Sequence, residues 1–328
     1  MSFASFAKSV LEPAPYHSGP VWLNRAGWQL ARMLPRHATH GLRRARIAPA
    51  VADYVAAAER TGIVVIPNFL PAADFESLLS YCRDLRQSPA MRREPNRQNS
   101  GVDWLYGPIA GADPDSEWVR KLIAHNPLLL DTVAGMVRRR ITRSPQIAYQ
   151  RLTMREDAAY VPDAEAVLHA DRHFPTVKAY FSLNTSTQDN GAYVWAPGSH
   201  RMSMARLRHE YAYSVRQATF IRGGPKALPA GSTEAGMVKI DSKAWQAMDI
   251  TEEHILTEPN TMVISNNFGF HRRGYFKRGA VREQIRLVFH YLEEPLYATW
   301  LWNGLSALDR RRLLPNSLRQ AVQYRLTG

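Results

Sequence analysis

The sequence predicts a mainly β protein with flanking helices, its strands assembled as a sandwich or barrel. Beyond Ile141, short runs rich in β-branched and aromatic residues recur at Ile147 to Leu152, Val177 to Leu183, Ala192 to Trp195, Thr261 to Ser265 and Ile285 to Tyr291, separated by Gly, Pro, Asn and Asp turns. That punctuation fits a sandwich or barrel and not βαβ units. The chain has 328 residues, 45% of them hydrophobic, which is enough to bury a core and excludes whole-chain disorder.

The elements ahead of the strands follow in order. Residues 1 to 46 carry Lys8, Arg25, Arg32, Arg36, Arg43, Arg44 and Arg46 against the single acid Glu12, with Trp22, Trp28, Leu30, Met33 and Leu34 interleaved. Three readings compete here. The leading one is a helix or arm that packs its Trp/Leu face on the main domain and leaves the arginines in water. The others are a basic amphipathic stretch that touches anionic lipid or a polyanionic substrate, and an Arg-rich transit peptide. Val51, Tyr54, Val55 and Ala58 are spaced for one helical face, Thr61-Gly62 stops that helix, and Ile63 to Ile66 reads as a strand. Pro67-Asn68 turns the chain, and Asp74 is placed to cap a helix through Phe75, Leu78, Leu79 and Cys82. Residues 87 to 115 read as loop, and a helix is expected around Glu117 to Val137. Between Arg206 and Glu258 lies a mixed segment with Gly223-Gly224-Pro225 and Pro229-Ala230-Gly231, which reads as an insertion over one end of the scaffold.

Charge and cysteine usage narrow the setting. The 42 Lys+Arg against 29 Asp+Glu leave a net +13, which favours anionic partners by long-range attraction. Nucleic acid is the least supported of these, because no helix-turn-helix, zinc finger or RNP-type aromatic pattern occurs and the arginines are dispersed. Cys82 is the one cysteine, so no internal disulfide forms, and a reducing compartment, the cytoplasm, is expected. The short apolar Ser2 to Ala7, followed by Lys8, lacks the layout of a secretory signal, and no run approaches the roughly 20 apolar residues that cross a bilayer. Peripheral membrane contact through the basic N-terminal arm stays open as an expectation.

The chemistry concentrates in two segments. In Leu168-His169-Ala170-Asp171 the imidazole and the carboxylate are two apart, so in extended backbone they leave from one face. His271 follows about a hundred residues later in Asn267-Phe268-Gly269-Phe270-His271-Arg272-Arg273-Gly274. Two histidines and one carboxylate on one side of a metal leave open positions opposite, which suits non-haem Fe(II) reacting with O₂. Alone, H-x-D is weak in a chain with 11 histidines. The arginines downstream strengthen it: Arg282 falls 11 residues after His271 and Arg286 falls 15 after it. Their even separation lets both face the interior if the strand already runs from Arg282. An inward arginine requires an anionic partner, and the distal carboxylate of 2-oxoglutarate would supply one.

At this point the chain resembles the phytanoyl-CoA dioxygenase family of Fe(II)/2-oxoglutarate oxygenases. The likeness runs from the segment near Ala56 to Leu70 as far as about Tyr291. It rests on His169-Ala170-Asp171, Lys178-Ala179-Tyr180-Phe181-Ser182-Leu183, Asp189-Asn190-Gly191-Ala192, Ala196-Pro197-Gly198-Ser199-His200-Arg201 and Gly269-Phe270-His271-Arg272-Arg273-Gly274, in that order. It implies a double-stranded β-helix (jelly-roll, cupin-like) core, with His169, Asp171 and His271 as iron ligands. It further implies that Arg282 binds the 2-oxoglutarate carboxylate, with Arg286 as the fallback, and that O₂ is the second cosubstrate. Tyr180, and less strongly Lys178 on the same strand face, would lie beside 2-oxoglutarate. The intact Asp171 argues for hydroxylation over halogenation. Many relatives carry Gln where this chain has Ala170, so the family's substrate contacts do not transfer.

The implied organisation is a basic N-terminal arm over residues 1–48, an oxygenase domain over 49–295 with its insertion at about 206–258, and a basic helical C-terminal tail over 296–328. The expected activity is hydroxylation of an unactivated C–H bond in an anionic, lipid-like or small-metabolite substrate, with release of succinate and CO₂. Two other classes compete: a catalytically silent jelly-roll protein that binds anionic lipid or nucleic acid, and a metal-dependent cupin that is not an oxygenase. His200 reads as a hydrogen-bonding corner, His173 as a cavity-lining or loop residue and His290 as a core histidine. Arg138-Arg139-Arg140 and Arg310-Arg311-Arg312 read as solvated faces, and Trp300-Leu301-Trp302 as the anchor of the tail.

Overall fold

The chain passes back and forth between two antiparallel sheets, and this alternation makes the jelly-roll. A computed structural model describes residues 21–43, 47–109, 114–222, 238–240 and 242–289. The expectations for residues 1–20, for the turns at 223–237, for His290 and for the C-terminal tail with Trp300, Trp302 and Arg310-Arg311-Arg312 lie outside the described residues.

The described residues begin with helices α1 (Val21–Arg25) and α2 (Trp28–Leu42). Helix α3 (Ala52–Thr61) ends where Gly62 takes φ 84°, a left-handed conformation that glycine adopts without a Cβ penalty. Strand β1 (Ile63–Ile66) and helix α4 (Ala72–Leu85) follow, then β2 (Arg92–Glu94) and β3 (Val102–Pro108). Helices α5 (Pro114–Val119) and α6 (Pro127–Val137) lead to β4 (Gln146–Met154). The remaining elements are β5 (His169–Ala170), β6 (Val177–Ser182), β7 (Tyr193–Trp195), α7 (Met204–Arg222), β8 (Val238–Lys239), α8 (Ser242–Ala247), β9 (Glu253–Ile255), β10 (Thr261–Asn266), β11 (His271–Arg273) and β12 (Val281–Val288).

The larger sheet has the order β1-β10-β6-β12-β4-β3-β2 and the smaller one β8-β5-β11-β7-β9. From β4 to β7, and again from β9 to β12, successive strands change sheet. The sheets stay open at their edges. One face of the larger sheet packs on the helices, with Phe181, Ile285, Leu287 and Tyr149 against Leu78, Cys82, Leu129 and Val133. By the period of two, the opposite face of the same strands presents Lys178, Tyr180 and Ser182 from β6, Val263 and Ser265 from β10, and Arg282, Gln284 and Arg286 from β12. Strand β12 therefore already runs from Arg282, the condition under which both arginines share the inner face.

Several sequence expectations change. Residues 87 to 115, read as loop, contain β2 and β3, and β3 pairs with β4 along its whole length. The single helix expected over Glu117 to Val137 is broken at Asn126-Pro127. The proline lacks the N–H an uninterrupted helix would use, and the Asn126 side chain caps the new start at Leu128 N. Asp74 lies inside the first turn of α4, whose N-cap is Pro71, so it supplies charge there and not a side-chain cap. The 206–258 segment contributes β8 and β9, the two edges of the smaller sheet, and most of α7.

The N-terminal helix departs furthest from expectation. Trp22 is 69% exposed and Leu34 43%, whereas Arg32 and Arg36 are 1% and 2% exposed. Arg32 and Arg36 are buried alongside Met33 because α2 packs against polar and aromatic groups. Arg36 lies over the Phe174 ring, 5.7 Å from its centroid, and the His37 ring meets Phe268 at 4.4 Å. Nearby, Arg206 of α7 is sandwiched between the rings of Phe268 and Phe270, each at 4.0 Å, and pairs with the fully buried Glu210 at 3.0 Å. It also donates to the carbonyls of Ser199 and Phe268. Removing one partner of so buried a pair leaves an uncompensated charge. Arg206→Ala is expected to lower unfolding stability by about 3–5 kcal/mol, measured by chemical denaturation; a change within the range of ordinary surface substitutions would show that this pair does not brace the fold.

Candidate metal centre

His169 and His271 stand opposite one another because β5 and β11 pair antiparallel with His271 in register with His169. Their rings lie 4.6 Å apart, centroid to centroid. Asp171 follows β5, held by its backbone N–H to the Asn267 carbonyl at 3.1 Å. One ligand atom from each of His169, Asp171 and His271 falls within 4.8 Å of the others. His169 Nε2 is 3.7 Å from Asp171 Oδ1, and His271 Nε2 is 3.4 Å from Asp171 Oδ2.

The ring nitrogens facing away settle the chemistry of those facing in. His169 Nδ1 lies 2.7 Å from the Val167 carbonyl and His271 Nδ1 lies 3.1 Å from that of Gly269. A carbonyl can only accept, so each Nδ1 is the protonated nitrogen, and each neutral ring keeps an Nε2 lone pair aimed at the centre. Burial pulls His169 down to about 3, with the neighbouring His271 adding to the effect, so its neutral form prevails at pH 7. The donor set of two imidazole Nε2 atoms and one carboxylate fits a non-haem ferrous ion.

Asp171 is ionised for a different reason. Burial alone would raise its pKa, yet Lys178 foremost, and then His271, hold it well below the usual carboxylate range. Lys178 Nζ donates to Asp171 Oδ2 at 2.5 Å, and Asn267 Nδ2 donates to the same oxygen at 2.7 Å. Asn267 Oδ1 in turn accepts from Ser265, whose hydroxyl is 3.1 Å from that of Tyr193. Sequence reasoning missed Asn267 and Tyr193. Asn267 stands four residues before His271 in a segment already singled out, so its position was visible, but its partner was not.

The remaining candidates divide between two places. A cavity on the inner face is lined by Tyr180, Tyr193, Ser182, Asn184, Arg282 and Gln284 among others. Arg282 Nη1 donates to the Gly191 carbonyl, while its buried Nε has no hydrogen-bond partner among the described residues. Burial first, then Arg273, lower the Arg282 guanidinium to about 10, which still leaves it charged at pH 7. Tyr180 faces the same cavity and pairs in register with Arg286. Arg286 also has an unpartnered buried Nε but is not among the lining residues. Lys178 is spent on Asp171 and does not line the cavity either.

The motifs behind the resemblance turn out to be braces for these groups. Asn190 Nδ2 donates to the carbonyl of Val281, at the start of β12, and Gly191, at φ 76°, turns its carbonyl to Arg282. A Cβ on Gly191 would lie 2.0 Å from the Phe276 ring. Ser199 accepts from the Phe270 N–H at 2.8 Å and so fixes the residue before His271. His200 Nε2 is 3.3 Å from the Glu59 carbonyl, as a hydrogen-bonding corner requires. His173 is fully buried, and its carbonyl lies 3.2 Å from His37 Nε2 on α2. Arg273, also unforeseen, is 4% exposed and pairs with Asp163 at 2.6 Å.

The depressed His169 gives a pH dependence in metal-free protein. A folded pKa below the unfolded value contributes stability that is present above pH 6.5 and lost as pH falls toward about 3. Between pH 7 and 5 this group is expected to remove about 2 kcal/mol of unfolding stability. Denaturation of the parent and of His169→Asn at both pH values isolates it, and equal losses in the two proteins would refute the assignment.

No curated protein sequence matches the chain. Among solved structures it is similar to the epimerase SnoN in complex with Fe3+, alpha ketoglutarate and nogalamycin RO, at 15% identity, TM-score 0.49, over 73% of this chain and 82% of that one. It is also similar to EctD from S. alaskensis with bound Fe, at 15% identity, TM-score 0.45, over 75% and 82%, and to AviO1 from Streptomyces viridochromogenes Tue57, at 16% identity, TM-score 0.44, over 74% and 95%. The family model of phytanoyl-CoA dioxygenase (PhyH) matches residues 58–248, more than half of the chain, a span that includes His169 and Asp171 and stops short of His271 and Arg282. The chain belongs to the phytanoyl-CoA dioxygenase family and is an iron- and 2-oxoglutarate-dependent oxygenase.

Proposed function

We propose that this protein hydroxylates an unactivated C–H bond of a small anionic organic substrate, with His169, Asp171 and His271 holding Fe(II). The observation that carries the reading is the convergence of those three side chains, each histidine presenting Nε2 and each Nδ1 tied to a carbonyl. The bound iron and 2-oxoglutarate together supply the oxidising power: substrate C–H, O₂ and 2-oxoglutarate become C–OH, succinate and CO₂. What the chain adds is placement, charge and exclusion of water.

In this reading Arg282 binds the distal carboxylate of 2-oxoglutarate through its free Nε side, and Tyr180 lines the same cavity. Arg286, absent from the cavity wall, is the second choice for that contact. The catalytic unit is residues 49–295. An anionic substrate is supported by the net charge of +13.

Anaerobic reconstitution with Fe(II) and 2-oxoglutarate tests the proposal through the weak visible charge-transfer band of the chelate. The parent should show the band and release succinate in air. His169→Ala should show none, and Arg282→Ala should need 2-oxoglutarate at concentrations at least about tenfold higher, the loss of one charge-assisted pair. A parent that binds neither Fe(II) nor 2-oxoglutarate would overturn the reading in favour of a silent jelly-roll protein, and turnover without O₂ would favour a non-oxygenase cupin.

A further inference from the structure

Asp171 offers two oxygens, and they are not equivalent. Oδ2 accepts from Lys178 Nζ at 2.5 Å and from Asn267 Nδ2 at 2.7 Å, which uses both of its lone-pair directions. Oδ1 accepts no hydrogen bond among the described residues and faces His169 Nε2 at 3.7 Å, whereas Oδ2, besides its two donors, lies 3.4 Å from His271 Nε2. Both donors are firmly seated. Lys178 projects from the inner face of β6, whose partner residue on β10 is Ser265, and Ser265 donates to the Asn267 amide. A lysine on this inner face is costly to bury unless its charge is matched, and Asp171 is its matching anion.

We propose that Lys178, with Asn267, restricts Asp171 to a single ligand oxygen and so preserves the coordination position that O₂ requires. The inference rests on the ferrous site proposed above. A ferrous ion held by these three side chains would keep positions open opposite them. A two-point chelate of 2-oxoglutarate would take up most of that space and leave one position. A carboxylate that turned to bind through both oxygens would close that last position. Lys178 is thus a positioning residue: it touches neither cosubstrate in this reading but decides how many bonds Asp171 makes.

The direction of its effect on metal affinity separates this role from mere support. An outer hydrogen bond that only orients a ligand weakens metal binding about 10–100-fold when lost. Loss of Lys178 removes a competing cation and frees a second oxygen, so Fe(II) should bind Lys178→Met more tightly than the parent, by about tenfold. The experiment is anaerobic Fe(II) titration of the full chain, then formation of the 2-oxoglutarate chelate band, then addition of nitric oxide as a stand-in for O₂, read by the high-spin ferrous-nitrosyl signal in electron paramagnetic resonance. Lys178→Met is expected to bind Fe(II) more tightly and to give a several-fold weaker nitrosyl signal. Lys178→Arg, which keeps a cationic donor, should restore the parent signal. Weaker Fe(II) binding by Lys178→Met, or a nitrosyl signal of parent intensity, would overturn the inference while leaving the ferrous site intact. If Lys178→Met fails to fold, Lys178→Gln carries the same measurements. A parent without the chelate band fails the earlier proposal instead.

Discussion

The site depends on the antiparallel pairing of His271 with His169 across β11 and β5. Neither strand is long: β5 has two residues and β11 three. Such short strands hold register only if their neighbours fix it, and here the neighbours do. Strand β7 pairs His271 with Trp195, and Trp195 is fully buried, stacks near-parallel to the His271 ring and donates to the Thr61 carbonyl at 2.8 Å. A Cβ on Gly269 would lie 2.2 Å from Trp195, so the close approach of that indole is what glycine permits there. Slipping β11 by one residue would turn His271 away from the interior and bring Arg272 or Phe270 in its place.

The larger sheet imposes a second constraint by concentrating cations on one face. Lys178, Arg282 and Arg286 all project from the inner side of two adjacent strands. Unpaired, such a group would be costly in a low-dielectric interior. The chain resolves each case differently. Lys178 has Asp171, and Tyr180 adds to the effect of Asp171 in keeping it protonated against the pull of burial. Arg282 has a peptide carbonyl on one nitrogen and leaves another without a partner among the described residues. Both read alike in sequence as basic residues on alternate strand positions, yet Lys178 is matched by a carboxylate and Arg282 by a peptide carbonyl.

Much of this was legible in the sequence where a local rule decides the outcome. The helix ending at Gly62 and the strands at 146–154, 177–182 and 261–266 follow from periodicity, β-branching and turn residues, and the run expected from Ile285 overlaps β12, which starts earlier, at Val281. His169, Asp171 and His271 were nameable because one spacing sets two of them on a face, while the downstream arginines and the family resemblance pointed to the third. What could not be read was decided through space. The partner of Lys178 lies seven residues upstream across a loop, and that of Arg282 is a backbone carbonyl 91 residues earlier. Strand β3 was hidden because Asp103, Gly107 and Pro108 interrupt its pattern, while its stability comes from pairing along β4. The Phe174 ring, over which Arg36 lies, reverses the solvated position expected of the arginines there, and no helical pattern announces such a partner.

That reversal bears on why the chain carries so many arginines near one place. A guanidinium is planar and more weakly hydrated than an ammonium, so its faces can rest on aromatic rings while its edge hydrogen-bonds to carbonyls. Arg206 does both, lying between Phe268 and Phe270 while it binds the carbonyls of Ser199 and Phe268 and the carboxylate of Glu210. Those two phenylalanines flank Gly269 and precede His271 directly. The arginine thus clamps, from outside, the loop whose other side supplies Asn267 to Asp171 and His271 to the centre. Helix α2 completes the clamp through His37, which meets the Phe268 ring and the His173 carbonyl together. Lysines could not replace these residues, since a compact ammonium would have to shed its hydration to lie between two rings. The basic residues around this loop therefore build a wall that braces the segment carrying Asn267 and His271.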